Sequence, residues 1–580
     1  MHVSVQGPVT DARSAWASIS ETDVLLSLAG APPILSRWVE DADGETLPSG
    51  IMLGPAGLRH AFEEASLCWV KGAFLRFVRR VEGPLLRSIQ YEASLVPTGV
   101  GFRADVALTV VPKLRGFTGS LRLYTLGVRK GWMRELERAA TSIETARPSR
   151  RSLDMTTSAA LVRWAERSAR PALRARVESW MRRASPRALR DLRPLELVQG
   201  WEADTGEGSG EVLDDIVEAA ATGVLEMRWA VMCSRCRAEV CRTASLAGLT
   251  ERVRCPACGS TQTVDLARNT EVVLEASSWL GVREVTCPSL AAAWPEVEAG
   301  ALLGPDETVE LPLALNPGVY ALVAGAGAEA LDGALVVTAD GPSAARWSPG
   351  MGTVHLGQGT LVLANPTRRR HFIRLVRPAD SIQHLSAFAM LTRPRFRTRL
   401  GGQAPAPDVV LDVGDATVLF TDFTDSTKLF ARFGDRMAVQ HIRSRLDAVE
   451  ACVQDCGGVR VKTLGDGLLA LFSRPEHAVR ACDELLHSPL RGLPGEPQLR
   501  LGIARGPILT EHTDAAGLDC LGATVAAAAR AVYNAPPLTA RWTGLVQADP
   551  HVQRYLREAN AQVEPDGETF HRMTVPVISV

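Results

Sequence analysis

The stretch ATVLFTDFTDST, residues 416–427, decides the fold of the C-terminal part of the chain. Its apolar run predicts a buried strand, and the polar residues from Asp422 onward predict the turn that ends it. A second stretch, VRVKTLGDGLLALF at residues 459–472, predicts a β-hairpin whose turn contains Asp466 between two glycines. Carboxylates at the ends of neighbouring strands are suited to hold divalent cations that carry a phosphate. We therefore expect a metal-dependent phosphate site in this region.

The composition excludes several classes of protein. A chain of 580 residues is too long for one hydrophobic core and predicts about three to five domains. Hydrophobic residues make up 46% and charged residues 22%, which excludes wholesale disorder. The net charge of −1 gives no overall field to recruit nucleic acid or an anionic membrane. Because the N-terminus lacks a secretory pattern and no apolar run reaches about 18 residues, we expect a soluble cytoplasmic protein without a membrane span.

Cysteine spacing predicts one metal site. The chain has 11 cysteines, and an odd number argues against a disulfide framework. Four of them form two CxxC pairs, at Cys233, Cys236, Cys255 and Cys258. This spacing is typical of a zinc ribbon, in which four thiolates bind a tetrahedral Zn²⁺ that closes its coordination shell and only holds the fold together. A site that has lost its metal and a redox dithiol are the alternatives.

The first region, residues 1–147, predicts a sheet closed by a helix. The runs AFLRFVRRV, RSIQYEASLVP and GFRADVALTVVP alternate apolar and polar residues, which indicates antiparallel strands. The segment at 119–144 then changes to helical spacing. This helix-grip pattern resembles START-like ligand-binding domains. Such a sheet and helix can enclose a cavity for a small hydrophobic ligand, and a structural or protein-binding module is the other interpretation.

The second region, residues 148–232, begins with an arginine-rich segment at 163–194. Its arginines suit nucleic acid or acidic lipid, but the near-helical spacing of its apolar residues favours amphipathic helices with a solvated basic face. The rest of this region predicts short helices followed by a strand, a winged-helix-like connector. Such a fold does not by itself imply DNA binding.

The third region, residues 233–400, predicts the zinc ribbon followed by a β-sandwich. Short β-runs are separated by Gly, Pro and Asn at intervals typical of sandwiches. This region offers no catalytic constellation. A helix and a linker follow, with Pro405 and Pro407 marking the boundary to the fourth region, residues 408–580.

The fourth region carries further motifs, LRLGIARGP at 499–507 and DCLGATVAAAAR at 519–530. With the two aspartate stretches, they resemble the catalytic domain of class III adenylate/guanylate cyclases, a ferredoxin-like α+β fold. The preceding modules resemble the uncharacterised N-terminal region of some bacterial cyclase proteins. The resemblance implies two Mg²⁺ or Mn²⁺ ions per site, held by Asp422, the main chain of Phe423 and Asp466. It also implies a homodimer through the cyclase domain.

The resemblance further implies roles for three other residues. Lys462 would donate to a ring nitrogen of adenine, and Asp519 would accept from its exocyclic amine, a pair that complements ATP better than GTP. Arg530 would stabilise charge on the transferring phosphate. The implied reaction converts ATP to 3′,5′-cyclic AMP and pyrophosphate.

Three departures from the family pattern limit this expectation. Ala526 replaces an asparagine, and losing one transition-state donor costs about 10² to 10³ in rate. Asp425 replaces a glycine near the phosphates, and the segment EPDGETFHRMTVP at 564–576 lacks the lysine that contacts them. The sequence thus leaves three hypotheses: a weakly active adenylate cyclase regulated by its N-terminal domains, a degenerate cyclase-like nucleotide-binding or dimerising regulator, and a nucleic-acid reader built on the connector and zinc ribbon.

Overall fold

The computed structural model is a mixed α+β protein. The structure describes residues 2–8, 16, 20, 34–40, 46–53, 59–82, 86–98, 101–113, 153, 155–168, 170–183, 189–195, 197–198, 209–276, 296–325, 331–377, 384–401, 403–489, 497–513, 517–567 and 569–574. The closing helix predicted at 119–144 lies outside these residues. No helix within these ranges is both long and apolar enough to cross a membrane.

Seven antiparallel strands begin a large sheet. They are β1 His2–Pro8, β2 Ile34–Glu40, β3 Thr46–Leu53, β4 Arg59–Val70, β5 Phe74–Glu82, β6 Leu86–Thr98 and β7 Gly101–Pro112. The three alternating runs of the first region lie in β5, β6 and β7, so these strand predictions are confirmed. Every second residue of β5 is buried, from Leu75 to Val81, because the strand covers a core on one face.

Helices and a small sheet follow. They are α1 Met155–Ala165, α2 Pro171–Arg183, α3 Ser209–Ala221, β8 Leu225–Met232, β9 Glu239–Thr243, β10 Arg252–Arg254, β11 Thr261–Thr263 and β12 Thr270–Ala276. The arginine-rich segment contains the last residues of α1 and all of α2, and these helices bury Trp164, Val177 and Met181. Strands β12, β8 and β9 form one sheet in that order, and β10 pairs with β11 in a hairpin.

Eight further strands and two short helices complete the N-terminal part. They are β13 Val297–Leu303, β14 Thr308–Leu313, β15 Gly318–Val323, β16 Gly333–Val337, β17 Ala344–Trp347, β18 Thr353–Leu356, β19 Gly359–Ala364, β20 His371–Val376, α4 Ala387–Leu391 and α5 Pro394–Leu400. Strands β14, β19 and β17 form a sheet that packs on the others around Trp347 and Leu361. Strand β13 pairs with β4, so one twelve-stranded sheet runs through the ranges 1–147 and 233–400.

The C-terminal part is an eight-stranded sheet with helices on both faces. Its elements are β21 Leu411–Phe423, α6 Thr427–Asp455, β22 Val459–Leu464, β23 Gly467–Phe472, α7 Pro475–His487, β24 Leu499–Thr513, β25 Gly517–Leu521, α8 Ala523–Tyr533, β26 Thr539–Thr543, α9 Gly544–Gln547, α10 Pro550–Glu558, β27 Val563–Asp566 and β28 Phe570–Thr574. The order β22-β23-β21-β24 in the sheet gives a β-α-β-β-α-β unit from β21 to β24. Helices α6, α7 and α10 cover one face, and α8 covers the other.

The N-terminal and C-terminal parts meet at the start of β21. The backbone amide of Leu266 donates to the carbonyl of Asp412 at 2.8 Å, and the amide of Asp412 donates to Val264 at 3.2 Å. The boundary near Pro405 is packed as well, since the Gln403 side chain accepts from the Trp229 indole at 3.3 Å. The two parts therefore share backbone hydrogen bonds and one continuous hydrophobic core.

Candidate functional site

The two aspartates at strand ends lie at one edge of the C-terminal sheet. Strands β21 and β23 are antiparallel neighbours, with Thr421 opposite Leu468. Asp422 is the next residue along β21, and Asp466 immediately precedes β23. Both aspartates therefore lie at the same end of adjacent strands, and carboxylate oxygens are the ligands that hard divalent cations prefer.

A tight hairpin fixes the position of Asp466. Leu464 pairs with Gly467, which leaves Gly465 and Asp466 as a two-residue turn. Gly465 has a φ of 67°, the conformation that glycine adopts at the first central position of such a turn. A Cβ atom on Gly467 would lie 2.4 Å from the carbonyl oxygen of Thr421, so only glycine lets the hairpin approach β21 this closely.

An arginine that sequence reasoning missed pairs with the first aspartate. Arg500 lies opposite Asp422 on β24 and donates to its Oδ2 from Nε at 2.7 Å and from Nη2 at 2.5 Å. It also donates to the carbonyl of Tyr533 at 3.2 Å. The signal was present in the sequence, because Arg500 stands between two core leucines and must project from the opposite face of its strand. Asp466, in contrast, is half-buried and has no ion-pair partner among the described residues.

The two predicted base-reading residues contact each other. Lys462 of β22 donates from Nζ to Oδ2 of Asp519 in β25 at 2.6 Å. The other oxygen, Oδ1, accepts from the backbone amide of Cys520 at 2.8 Å, which fixes the carboxylate. The lysine side chain is 33% exposed and the aspartate 9% exposed. A donor and an acceptor of hydrogen bonds thus stand side by side at the solvent boundary.

The predicted phosphate arginine lies apart from the aspartates. Arg530 and Ala526 are exposed residues one turn apart on α8. The guanidinium of Arg530 forms no ion pair or hydrogen bond with Asp422 or Asp466 within the described part of the chain. Arg530 therefore lies on an exposed face of α8. It is not part of the sheet edge that carries Asp422 and Asp466, which we call the carboxylate edge.

The carboxylate of Asp425 forms an ion pair with a nearby lysine. Its φ is 59°, the left-handed conformation that glycine would adopt most easily. The carboxylate accepts from Nζ of Lys428 at 2.8 Å, and its side chain is 60% exposed. The lysine offsets part of the Asp425 charge, so this carboxylate would repel a nearby phosphate less than the sequence suggested.

The four CxxC cysteines form a buried cluster. The Sγ atoms of Cys233 and Cys258 lie 3.7 Å apart, and so do those of Cys236 and Cys255. With metal–sulfur bonds of about 2.3 Å, the edge of a tetrahedron is about 3.8 Å. All four ligand atoms lie within 4.8 Å of one another. The residues present therefore fit a structural Zn²⁺ with a closed shell of four thiolates.

A buried arginine stands beside the four thiols. Arg374 of β20 is 1% exposed and donates to the carbonyl of Ala257 at 3.3 Å, while its Nε and Nη1 have no hydrogen-bond partner. Burial alone would lower the pKa of Arg374, but the nearby cysteine sulfurs raise it above its usual value. Since four thiolates around Zn²⁺ carry two negative charges, this guanidinium offsets part of that charge.

The N-terminal sheet carries a cleft on its outer face. Its volume is about 460 Å³, and it lies between β4–β7 and the strands β13 and β14. The lining includes Cys68, Gln90 and the ion pair of Arg76 with Glu92, whose charged atoms are 2.8 Å apart. The cavity predicted between the sheet and its closing helix stays a prediction, and so does a hydrophobic ligand for it.

Comparison with known proteins gives matches among solved structures alone. No family model matches the chain, and no curated protein matches it. The guanylyl cyclase domain of the RhoGC fusion protein from the aquatic fungus Blastocladiella emersonii matches at 19% identity and a TM-score of 0.24, over 29% of this chain and 97% of that one. The adenylyl cyclase CyaB from P. aeruginosa matches at 14% identity and a TM-score of 0.25, over 30% and 98%.

An adenylate cyclase from Trypanosoma brucei in its monomeric state also matches, at 20% identity and a TM-score of 0.25, over 29% of this chain and 91% of that one. TM-scores at this level carry no argument about the fold or activity of this chain. A functional assignment therefore depends on the residues and geometry described above.

Proposed function

We propose that residues 408–580 form a nucleotide cyclase that converts ATP to 3′,5′-cyclic AMP and pyrophosphate. The proposal rests on one observation. Two strand-end carboxylates, those of Asp422 and Asp466, lie on the same sheet as the pair of Lys462 with Asp519. An intramolecular cyclisation of a nucleotide needs a phosphate site and a base site that are held at a fixed distance from each other. A single sheet provides that rigidity.

The carboxylate edge would hold the divalent cations. Asp422, Asp466 and the main-chain carbonyl of Phe423 are the ligands we assign to two Mg²⁺ or Mn²⁺ ions. When bound, these ions supply charge stabilisation and lower the pKa of the attacking hydroxyl. Arg500 holds Asp422 in the absence of cations, and its guanidinium becomes available to a phosphate oxygen once that carboxylate is taken.

The pair of Lys462 with Asp519 would select the base. The two side chains satisfy each other in the free protein, so binding a base exchanges one charged hydrogen bond for two that reach the ligand. Adenine offers an acceptor at its ring nitrogen and a donor at its amine, whereas guanine offers the reverse pattern at the same edge. We therefore assign ATP as the preferred substrate.

Arg530 would act across a homodimer interface. Its exposed position on α8, apart from the carboxylates of its own chain, supports a role in the site of a second copy. There its guanidinium would stabilise charge on the transferring phosphate. Ala526 supplies no donor one turn earlier, so we expect turnover to be slow.

The N-terminal modules would regulate the cyclase. We assign them as a START-like sheet, a winged-helix-like connector, and a zinc ribbon with a β-sandwich. The hydrogen bonds of Leu266 and Val264 with Asp412 support this role, because they join the ribbon to β21, the strand that carries Asp422. Movement of the ribbon therefore reaches the carboxylate edge through one continuous strand.

A degenerate cyclase-like protein is the second candidate. Ala526 favours it, because the methyl group neither donates nor accepts a hydrogen bond. In that case the chain would bind nucleotide, or serve as a dimerising regulator, without turnover. Restoring the donor with Ala526→Asn separates the two, since a gain of about 10² in rate would indicate an intact scaffold.

Product analysis tests the proposed function. Purified full-length protein, incubated with Mn²⁺ and ATP, is expected to yield 3′,5′-cyclic AMP by mass spectrometry. Asp466→Ala is expected to abolish the product, whereas Asp447→Ala, a matched change at an exposed site on α6, leaves it unchanged. Absence of product from both the wild type and Ala526→Asn, at high enzyme concentration, would contradict turnover and leave the second candidate.

A further inference from the structure

A second cluster of metal-ligating side chains lies at the end of α6, far from the four CxxC cysteines in sequence. Cys452 lies in the last turn of α6, Cys456 caps the C-terminal end of this helix one turn later, and Glu484 lies on α7. One ligand atom from each lies within 4.8 Å of the other two. Cys456 is buried, Cys452 is half-buried and Glu484 is exposed, so the cluster opens to solvent on one side.

The carboxylate of Glu484 is already aimed at the thiols. Its Oε1 accepts from Nε of Arg480 at 2.7 Å, one turn earlier on α7. Its Oε2 lies 3.9 Å from Sγ of Cys452. One oxygen is thus held by an arginine while the other points at a sulfur. This is the arrangement in which a neighbouring charge orients a metal ligand.

The spacing of the two cysteines disfavours a disulfide. Residues i and i+4 on a helix have Cβ atoms about 5–6 Å apart, whereas a disulfide requires about 3.5–4.5 Å. The helix is intact here, since the amide of Cys456 donates to the carbonyl of Cys452 at 3.0 Å. A metal ion bridges a wider gap, because two bonds of about 2.3 Å hold sulfurs about 3.8 Å apart.

We propose that Cys452, Cys456 and Glu484 form a binding site for a thiophilic divalent cation of the Zn²⁺ and Cd²⁺ class. Binding forms two metal–sulfur bonds and one metal–oxygen bond, and both thiol protons pass to solvent. The ion with two thiolates and one carboxylate carries one net negative charge, which Arg480 offsets. Solvent takes the open position beside Glu484.

Such an ion would link the C-terminal end of α6 to α7, close in sequence to β22. Cys456 is the C-cap of α6, and β22, which carries Lys462, begins at Val459. The cluster packs against the core between these helices and the sheet. The proposal rests on this geometry and is independent of the proposed cyclase activity.

Metal counting on the full-length protein tests the site. The chain is reduced, its CxxC site is filled with one equivalent of Cd²⁺, and more Cd²⁺ is then titrated while the thiolate-to-cadmium absorption band is recorded. We expect one additional thiolate-bound Cd²⁺ per chain beyond the first equivalent. Cys456→Ser and Cys452→Ser are each expected to lose this equivalent, whereas Cys68→Ser, a matched change at a half-buried cysteine of β4, keeps it.

A surface variant keeps the test independent of folding. Glu484→Gln alters an exposed side chain and is expected to weaken Cd²⁺ binding by at least about tenfold. An additional equivalent that persists in both Cys456→Ser and Glu484→Gln would overturn the proposal. So would a wild-type chain that binds no metal beyond the CxxC site.

Discussion

Single residues determine which ion pairs the aspartates of the carboxylate edge form. Arg500 pairs with Asp422 and Lys428 pairs with Asp425, so two aspartates of the proposed phosphate site each have a cationic partner. The sequence identified the aspartates from strand ends and turns, which are local signals. It did not reveal their partners, because the pairing of Arg500 with Asp422 depends on the register of β24 against β21, two strands far apart in the chain.

Removing Arg500 tests whether its ion pair with Asp422 competes with a bound cation. Arg500→Gln is expected to raise the affinity for Mn²⁺ in the absence of nucleotide by about fivefold, because a partly buried ion pair worth about 1 kcal/mol no longer competes for Asp422. Isothermal titration measures this affinity. Arg443→Gln, an exposed change on α6, is the control and should leave it unchanged. Equal affinities in wild type and Arg500→Gln would show that the pair does not compete with the cation.

The buried arginine beside the thiols has its own consequence. Arg374→Met is expected to speed release of Zn²⁺ from the CxxC cluster by about 10- to 100-fold, because the thiolate charge loses its nearest buried cation. A chromogenic chelator follows the release. Arg346→Met, at an exposed site in β17, is the matched control. Unchanged release from Arg374→Met would contradict the charge argument.

At the scale of elements, the hairpin of β22 and β23 is the best-predicted feature. The run VRVKTLGDGLLALF contains its own turn, so local chemistry fixed the strand ends, and the hairpin prediction is confirmed. The alternating runs of β5 to β7 were equally local. The linker near Pro405 was harder to read, because its packing against Trp229 depends on a distant partner that composition does not reveal.

The close approach of this hairpin to β21 predicts a measurable defect. Gly467→Ala would put a methyl group 2.4 Å from the carbonyl of Thr421, so β23 must shift and Asp466 with it. Hydrogen–deuterium exchange is expected to show lost protection at residues 468–472. Gly465→Ala meets no neighbouring atom and costs about 1–2 kcal/mol through its positive φ alone, so its effect should be smaller. A larger effect from Gly465→Ala would contradict this packing.

At the scale of the whole molecule, nonlocal pairing joins what the sequence divided. Strand β4 lies beside β13 in one twelve-stranded sheet, although more than two hundred residues separate them. Composition and turn residues mark ends of elements, and they carry no information about which distant strands pair. For the same reason, the sequence did not predict the backbone hydrogen bonds between the ribbon and β21. The mixed α+β class was predictable, whereas the connection between the parts of the chain was not.

This connection predicts that zinc removal reaches the C-terminal sheet. Chelation of the CxxC metal under reducing conditions is expected to loosen residues 264–266 and, through their hydrogen bonds with Asp412, the first residues of β21. Hydrogen–deuterium exchange should therefore rise in both segments together. Exchange that rises in the ribbon while β21 stays protected would show that the two parts are not coupled.

The central claim is that Asp422 and Asp466 share divalent cations around a nucleotide. The most direct measurement is anomalous diffraction at the manganese edge from a crystal soaked with Mn²⁺ and a non-hydrolysable ATP analogue. The account predicts two manganese peaks in contact with both carboxylates, with Arg500 released from Asp422. Nucleotide bound with Asp422 still paired to Arg500, or manganese bound away from both aspartates, would contradict it.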